Sequence, residues 1–473
     1  MAATRSSAIH DRLSHPVIDS DGHWIEYEPA VREYVRRFVG EQSAARYERI
    51  TRLTLGSSAR GATVEQRQKS KIAQPAWWTF PTKNTLDRAT AMLPKLLYER
   101  LPEMGLDFSV LFPTSIMTMV PFMRDEELRR GGTRALNTYA AELFADYADR
   151  MTPVAAIPVH TPQEAIEELE HVKSLGLKVV MLAGLVNRHV PGEDGRSSRI
   201  WRDPLGLDSD YDYDPVWAKC LELKLIPTFH NSTQGLGFRA STSNWTYNHI
   251  GHFAAAGDAL CKALFLGGVT RRFPKLKFAF LEGGAGWACS LYSDLIRHWN
   301  TRNIDALEYV DPANLDEKLF RSLAERYGDP LIRQTVRDNP ILRRDPAPPA
   351  NPDDFWRCEI KRAEDIRDLF VPNFYFGCEA EDPMNAAAFN SRVNPFGARL
   401  NAILGSDIGH FDVKDMSAVL EESWELVEHG ALSEEDLRDL TFTNPVRLFA
   451  GMNPDFFKGT VVEKQAAALM AAG

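Results

Sequence analysis

A chain of 473 residues, 44% apolar and 25% charged, has the composition of a folded protein with enough sequence for one large core or two smaller ones. A formal net charge of -10 argues against nucleic acid or an anionic membrane as the principal partner. The five cysteines are widely spaced without a Cys-x-x-Cys pair, and neither a leader-like apolar segment nor a run of about 18 apolar residues occurs, so a cytoplasmic protein with buried thiols is expected.

In chain order, β-type runs are predicted at 17–20, 108–112, 153–159, 178–182, 225–230, 277–282, 373–377 and 402–406. Several are continuously apolar rather than alternating, the pattern of parallel strands covered on both faces. Helical periodicity fills the gaps at 85–100, 133–149, 162–174, 214–223, 253–272, 287–302, 383–396 and 414–428. Pro162, Pro215 and Pro383 lie near helix starts, where a missing N–H matters little. Eight β-then-α units predict a (β/α)8 TIM barrel. The rival, a doubly wound sheet, lacks its Gly-x-Gly-x-x-Gly signature after a strand.

Three stretches exceed the minimal unit: 26–81, 187–214 and 304–369. They read as insertions capping the C-terminal face of a single barrel domain over 1–459, with 460–473 as an exposed or partner-contacting tail. Trp77, Trp78 and Phe80 in the first could wall an apolar pocket, although aromatic clusters more often form core. Arg36-Arg37 and Arg129-Arg130 read as solvated helix faces, and Arg271-Arg272 as closing the barrel floor.

The chemistry gathers at the predicted strand ends. Asp21 and His23 leave the first strand, two residues apart and therefore on one side of extended chain. His230 ends the fifth, Glu282 the sixth and Asp407 the eighth. Barrel active sites lie at this end of the strands, and an imidazole–carboxylate set without cysteine suits Zn, Fe, Mn or Co. Between the fifth and sixth strands Tyr247-Asn248-His249-Ile250-Gly251-His252 adds two imidazoles, with helix capping or lid contacts as their plainer roles. Asp21, His23, His230, His249, His252, Glu282 and Asp407 form the expected metal set, with His410 an eighth candidate or a residue orienting a ligand. A single catalytic zinc takes about three protein ligands and a water, so the set is in excess for one ion.

The chain resembles the amidohydrolase-related group, in particular its metal-dependent decarboxylases of the aminocarboxymuconate semialdehyde type. The matching pieces run from Val17 to Phe449: Asp21-Gly22-His23, Pro227-Thr228-Phe229-His230, Arg272-Phe273-Pro274-Lys275-Leu276-Lys277, Gly283-Gly284-Ala285-Gly286-Trp287, Gly405-Ser406-Asp407 and Asn444-Pro445-Val446-Arg447-Leu448-Phe449. Three departures stand out. Asp21 replaces the first histidine of the group's His-x-His, Glu282 stands where its decarboxylases place a catalytic histidine, and strand four ends in Met181-Leu182-Ala183-Gly184 without a bridging lysine. Glu282 as the bridge is similar to a small branch of O2-dependent dinuclear hydroxylases that attack aliphatic C–H bonds, of 2-aminoisobutyrate in one case and a terpenoid acid in another.

That resemblance implies two divalent ions, Fe or Fe/Mn, and O2-dependent hydroxylation of a small organic acid or amino acid, with Glu282, Asp407 and His252 as catalytic residues. The alternative is one Zn or Mn serving a hydrolase or non-oxidative decarboxylase, with Glu282 or Asp407 shuttling the proton. A third reading is a non-catalytic subunit of a heteromer. The expected partners are a small-molecule substrate and, for the hydroxylase, O2, in a homo-oligomer or a pair with a homologous subunit.

Overall fold

The apolar runs that suit doubly covered strands are strands throughout. The computed structural model describes residues 4–55, 62–74, 82–114, 123–192, 198–231, 240–341 and 351–472. In chain order the strands are β1 (Ile18–Trp24), β2 (Phe108–Pro113), β3 (Met151–Pro153), β4 (Ala155–Ile157), β5 (Val179–Leu182), β6 (Val186–Pro191), β7 (Ser198–Asp203), β8 (Ile226–Phe229), β9 (Phe278–Phe280), β10 (Phe374–Glu379) and β11 (Asn401–Gly405). Pairing runs β1-β2-β3 and β4-β5-β8-β9-β10-β11, parallel at every step.

Backbone hydrogen bonds join these two sheets into a ring. β3 and β4 are one stave interrupted at Val154, whose N–H donates to Leu111 O at 2.9 Å. Across the other seam Asp407 N donates to Asp21 O and His23 N to Ile408 O, each at 2.9 Å. The result is the (β/α)8 barrel, with β6 and β7 as a separate antiparallel hairpin. The segment 187–214, expected as an irregular cap, therefore contains a paired ribbon.

Helices follow the strands with ordinary end chemistry. Pro162–Ser174 opens with Pro at its first position and the Thr161 hydroxyl accepting from Glu164 N, and Asp125 caps Glu126–Phe144 through Leu128 N. The predicted helix 85–100 is two, Thr85–Met92 and Pro94–Met104, because Pro94 has no N–H to continue the first and Leu93 is extended. Residues 383–396 keep only a short helix, Asn385–Phe389, in a stretch rich in Asn and Pro. Phe280 stacks on Phe229 (5.4 Å between centroids) and Phe376 (6.2 Å), and Trp287 packs edge-on against it from Gly286–Arg302. Such a ring contributes through area burial and aromatic contact, about 3–5 kcal/mol if truncated to alanine.

Residues 26–81 include the span Glu28–Leu55, interrupted at Gly40 (φ 77°), and the helix Val64–Ser70; the former packs on Glu126–Phe144. Trp77, Trp78 and Phe80 lie outside the described residues. The third insertion carries Glu317–Tyr327, whose Leu319, Phe320, Leu323 and Tyr327 are exposed. The last segment forms the helix Glu463–Ala472, anchored by buried Val462 and Ala466 against Asn444–Met452. Arg129 is buried and paired with Glu164 at 2.9 Å, correcting its reading as a solvated face. Among the described residues no helix is long and apolar enough to cross a membrane.

Candidate metal centre

β1 builds the first part of the site. It gains one residue relative to β2 between Asp19 and Gly22, a bulge that lets Asp19, Asp21 and His23 all enter the buried interior. Asp19 lies below the donors. It accepts from Ser109 Oγ (2.5 Å), Ser406 Oγ (2.8 Å), Ser406 N (2.9 Å) and Asp21 N (3.2 Å), tying β1 to β2 and to the end of β11. Gly22 is required by closeness: a Cβ there would sit 2.5 Å from Asp19 Oδ2 and 2.9 Å from Ser109 Oγ.

Two turns aim the remaining acids. Glu282 and Asp407 are non-glycine residues in left-handed backbone, φ 55° and 48°. Such conformations persist only where surrounding structure holds them, at about 1–3 kcal/mol each, and they concentrate at functional sites. After Glu282, Gly284 N donates to Gly377 O at 3.0 Å; after Asp407, His410 N donates to Asp407 O at 3.2 Å. The first bond ties the segment after Glu282 to β10 and the second closes a tight turn on Asp407, so both carboxylates are held at the barrel mouth.

Six buried side chains converge there: Asp21, His23, His230, Glu282, Asp407 and His410. They form two overlapping groups that share His23, one with Asp21 and His230, the other with Glu282, Asp407 and His410; within each, donor atoms lie within 4.8 Å of one another. His230 Nε2 is 2.9 Å from Glu282 Oε2 and 3.7 Å from Asp21 Oδ1. His23 Nε2 is 3.4 Å from Asp407 Oδ1, 3.6 Å from Asp21 Oδ1 and 3.9 Å from Glu282 Oε2. His410 Nδ1 contacts Asp407 Oδ1, while its Nε2 lies 3.4 Å from Thr114 Oγ1, which donates to Trp24 O at 3.0 Å. That chain fixes which ring nitrogen of His410 faces the centre.

The electrostatics fit a cation. Burial, reinforced by neighbouring carboxylates, pushes Asp21 and Asp407 well above the usual carboxylate range; burial followed by Asp412 does the same to Glu282. Burial and the neighbouring rings hold His23 and His410 well below the ordinary imidazole value, leaving them neutral. Asp21 Oδ1, both oxygens of Asp407, Glu282 Oε2 and the Nε2 atoms of His23 and His230 are buried without a hydrogen bond of sound geometry. Leaving so many polar atoms unsatisfied is costly unless a ligand completes them. Neutral imidazoles beside carboxylates are the donor chemistry a divalent ion of the Zn, Mn or Fe type takes.

The placement differs from the expected set at two positions. His249 is partly exposed, stacked on Trp245 (5.1 Å, 11°), with Nε2 3.9 Å from Asp412 Oδ2; it joins neither donor group. His252 is buried beside Phe253 and the His249 ring, in the wall of a cavity that also exposes Glu282. His410, expected only as an eighth candidate, is among the six. Sequence reasoning missed Asp19, Thr114 and Glu379. Asp19 shares the strand face of Asp21 at i-2, a signal that was available; Glu379 lies beyond the predicted end of its strand, which extends two residues further.

The amidohydrolase family profile matches residues 86–328. Among solved structures, the chain is similar to an amidohydrolase from Mycobacterium avium subsp. paratuberculosis K-10, at 16% identity and TM-score 0.53 over 92% of this chain and 100% of that one. It is also similar to 5-carboxyvanillate decarboxylase from Novosphingobium aromaticivorans DSM 12444 (15% identity, TM-score 0.49, 92% and 97% covered) and to a 2,6-dihydroxybenzoate decarboxylase (15%, 0.48, 92% and 98%). The first likeness agrees with the barrel found here. With the profile covering half the chain, the protein belongs to the amidohydrolase family and is a metal-dependent enzyme.

Proposed function

We propose that the chain is a two-metal enzyme acting on a small organic substrate by hydrolysis or non-oxidative decarboxylation. The observation that carries the metal count is the six-donor cluster divided into two groups around His23. Three buried carboxylates gathered around His23 raise one another's cost of ionisation unless cations stand among them, and two divalent ions match three carboxylates and three neutral imidazoles better than one. In this reading Asp21, His23 and His230 hold one ion and Asp407 and His410 the other. Glu282 reaches toward both groups through Oε2. Family membership supports the reaction class.

Ions bound there would polarise a carbonyl or lower the pKa of a coordinated water. The chain's own residues do the rest. Asp407, strained and aimed over the mouth, is positioned to take a proton from a group at the centre, with His410 against its Oδ1. His252 lines the same cavity as Glu282 and is the imidazole placed to deliver a proton, to the leaving group in hydrolysis or to the carbon that loses CO2 in decarboxylation. Phe112 and Phe253 pack against His230, at 5.6 and 4.9 Å between centroids, and keep the floor of the site dry.

A second reading, O2-dependent hydroxylation with an Fe or Fe/Mn pair, is favoured by one observation: half of the six donors are carboxylates, Glu282 among them. Protein loaded separately with Zn, Mn or Fe and offered small organic acids and amides under argon and in air separates the two. Metal-dependent turnover under argon is the expected result. Turnover only with iron, accompanied by O2 uptake, selects hydroxylation; activity unaffected by removal of all divalent metal contradicts both.

A further inference from the structure

Between the helix Gly286–Arg302 and β10 the chain carries an arm, residues 304–341, whose helices are Glu317–Tyr327 and Pro330–Thr335. Ala324 is its one buried residue. Leu319, Phe320, Leu323 and Tyr327 fall on one face of the first helix, about 100° wide, with the charged residues on the other. Tyr309, Leu319, Phe320, Tyr327, Leu331 and Ile332 are 43–91% exposed. At those exposures the six offer roughly 800 Å2 of mainly apolar surface. That exceeds the few hundred Å2 an ordinary monomer leaves open in a patch, and it is about what one partner gives to a standard interface. A helix of eleven residues is marginal by itself in water, and one buried alanine adds little, so the single chain lacks the packing that holds this arm.

The charges identify the cover. Residues 304–317 hold five acids and no base, whereas residues 318–341 hold five bases and three acids. Arg321 and Arg337 pair within the arm, with Glu317 at 3.6 Å and Glu325 at 2.6 Å. Lys318, Arg326 and Arg333 make no ion pair among the described residues, nor do Asp305, Glu308, Asp311 and Asp316. We propose that a second copy of this chain lays its arm antiparallel on the first about a two-fold axis, apolar face on apolar face and acidic end against basic end. An isologous contact needs a surface that complements itself under two-fold rotation, and a strip acidic at one end and basic at the other does so. Burial of the apolar faces drives the association, and the opposed ends fix its direction, since a parallel arrangement would set like charge on like. The arm's excess of acids, eight to five, disfavours an anionic membrane surface as the cover.

The test measures mass in solution by sedimentation velocity of the full chain over a range of micromolar concentrations, where twice the chain mass is expected. Leu323→Asp with Tyr327→Asp changes two side chains that are exposed in the single chain. It should weaken association at least ~30-fold, the loss of one interface anchor, with circular dichroism of the barrel retained. Two charge reversals test the direction: Asp305→Lys with Glu308→Lys, and Lys318→Glu with Arg326→Glu. Either variant alone sets like charge on like at both ends of a two-fold contact and should remain monomeric. An equimolar mixture of the two restores opposite charge at both ends and should recover the two-chain species, which also shows that both variants are folded. A monomeric unaltered chain, association that survives the apolar or the charge substitutions, or a mixture that stays monomeric overturns the proposal. A monomer that floats with phosphatidylcholine and phosphatidylglycerol vesicles, and loses them on Leu323→Asp with Tyr327→Asp, assigns the arm to lipid instead.

Discussion

Asp19 and Asp407 are both fully buried carboxylates at one seam of the barrel, yet their surroundings are opposite. Asp19 receives four hydrogen bonds from Ser109, Ser406 and the Asp21 backbone. Asp407 has two buried oxygens without a hydrogen bond and a strained backbone. A carboxylate saturated by its own chain is part of the frame. One left unsatisfied, at the end of a strand and beside neutral imidazoles, is reserved for something the chain does not supply.

The largest expected effect breaks the functional side. Asp407→Ala or His230→Ala should lower turnover at least ~10^3-fold, the order seen when essential catalytic groups are removed, with bound metal falling below two per chain and the fold retained by circular dichroism. Near-normal turnover in either variant would remove that residue from the centre. Next comes the frame. Asp19→Ala leaves the Ser406 and Ser109 donors buried without an acceptor and should destabilise the protein by about 3–5 kcal/mol in denaturant unfolding. A loss under about 1 kcal/mol would show that Asp19 is not structural.

The contrast sharpens with the opposite sign. In metal-free protein Asp407→Asn removes one of several crowded acids and should raise stability by about 1–2 kcal/mol while impairing metal binding, the trade expected of a strained functional group. Destabilisation of the metal-free protein by Asp407→Asn would place it with Asp19 instead. The smallest effect concerns an intermediate case, Glu168, which accepts from Asn137 Nδ2 (2.9 Å) and Arg134 Nε (3.1 Å) but is pushed up to about 7 by burial. Its folded form binds a proton more readily than the unfolded chain. The stability it contributes is therefore complete below the ordinary glutamate range and lost as pH rises through about 7. Glu168→Gln should flatten the fall in stability between pH 5 and 8 by about 2 kcal/mol; an unchanged slope would refute the shift.

The barrel was legible because its strands are covered on both faces and read as unbroken apolar runs, as at Phe278–Phe280 and Asn401–Gly405. Asp21, His23, His230, Glu282 and Asp407 were legible for a related reason: each stands where such a run stops. The choice among His249, His252 and His410 was not. It depends on the path of the turn after Asp407, where Asp407 and Gly409 both take positive φ (48° and 97°) and fold His410 back onto the centre. No local periodicity encodes that reversal. The hairpin of β6 and β7 was hidden because its exposed residues, among them His189, Val190, Ile200 and Trp201, obscure simple alternation. Glu379 went unread because a polar residue at the end of a buried strand looks like the start of a loop.

The central claim is that the unsatisfied donors hold two divalent ions. It is tested most directly by counting metal per chain, by mass spectrometry of protein purified anaerobically with Fe, Mn and Zn supplied, alongside Asp19→Asn and Asp407→Asn. About two ions in the unaltered chain, about one in Asp407→Asn and a count for Asp19→Asn tracking only its folded fraction are predicted. One ion or none in the unaltered chain, or a full count in Asp407→Asn, would contradict the account.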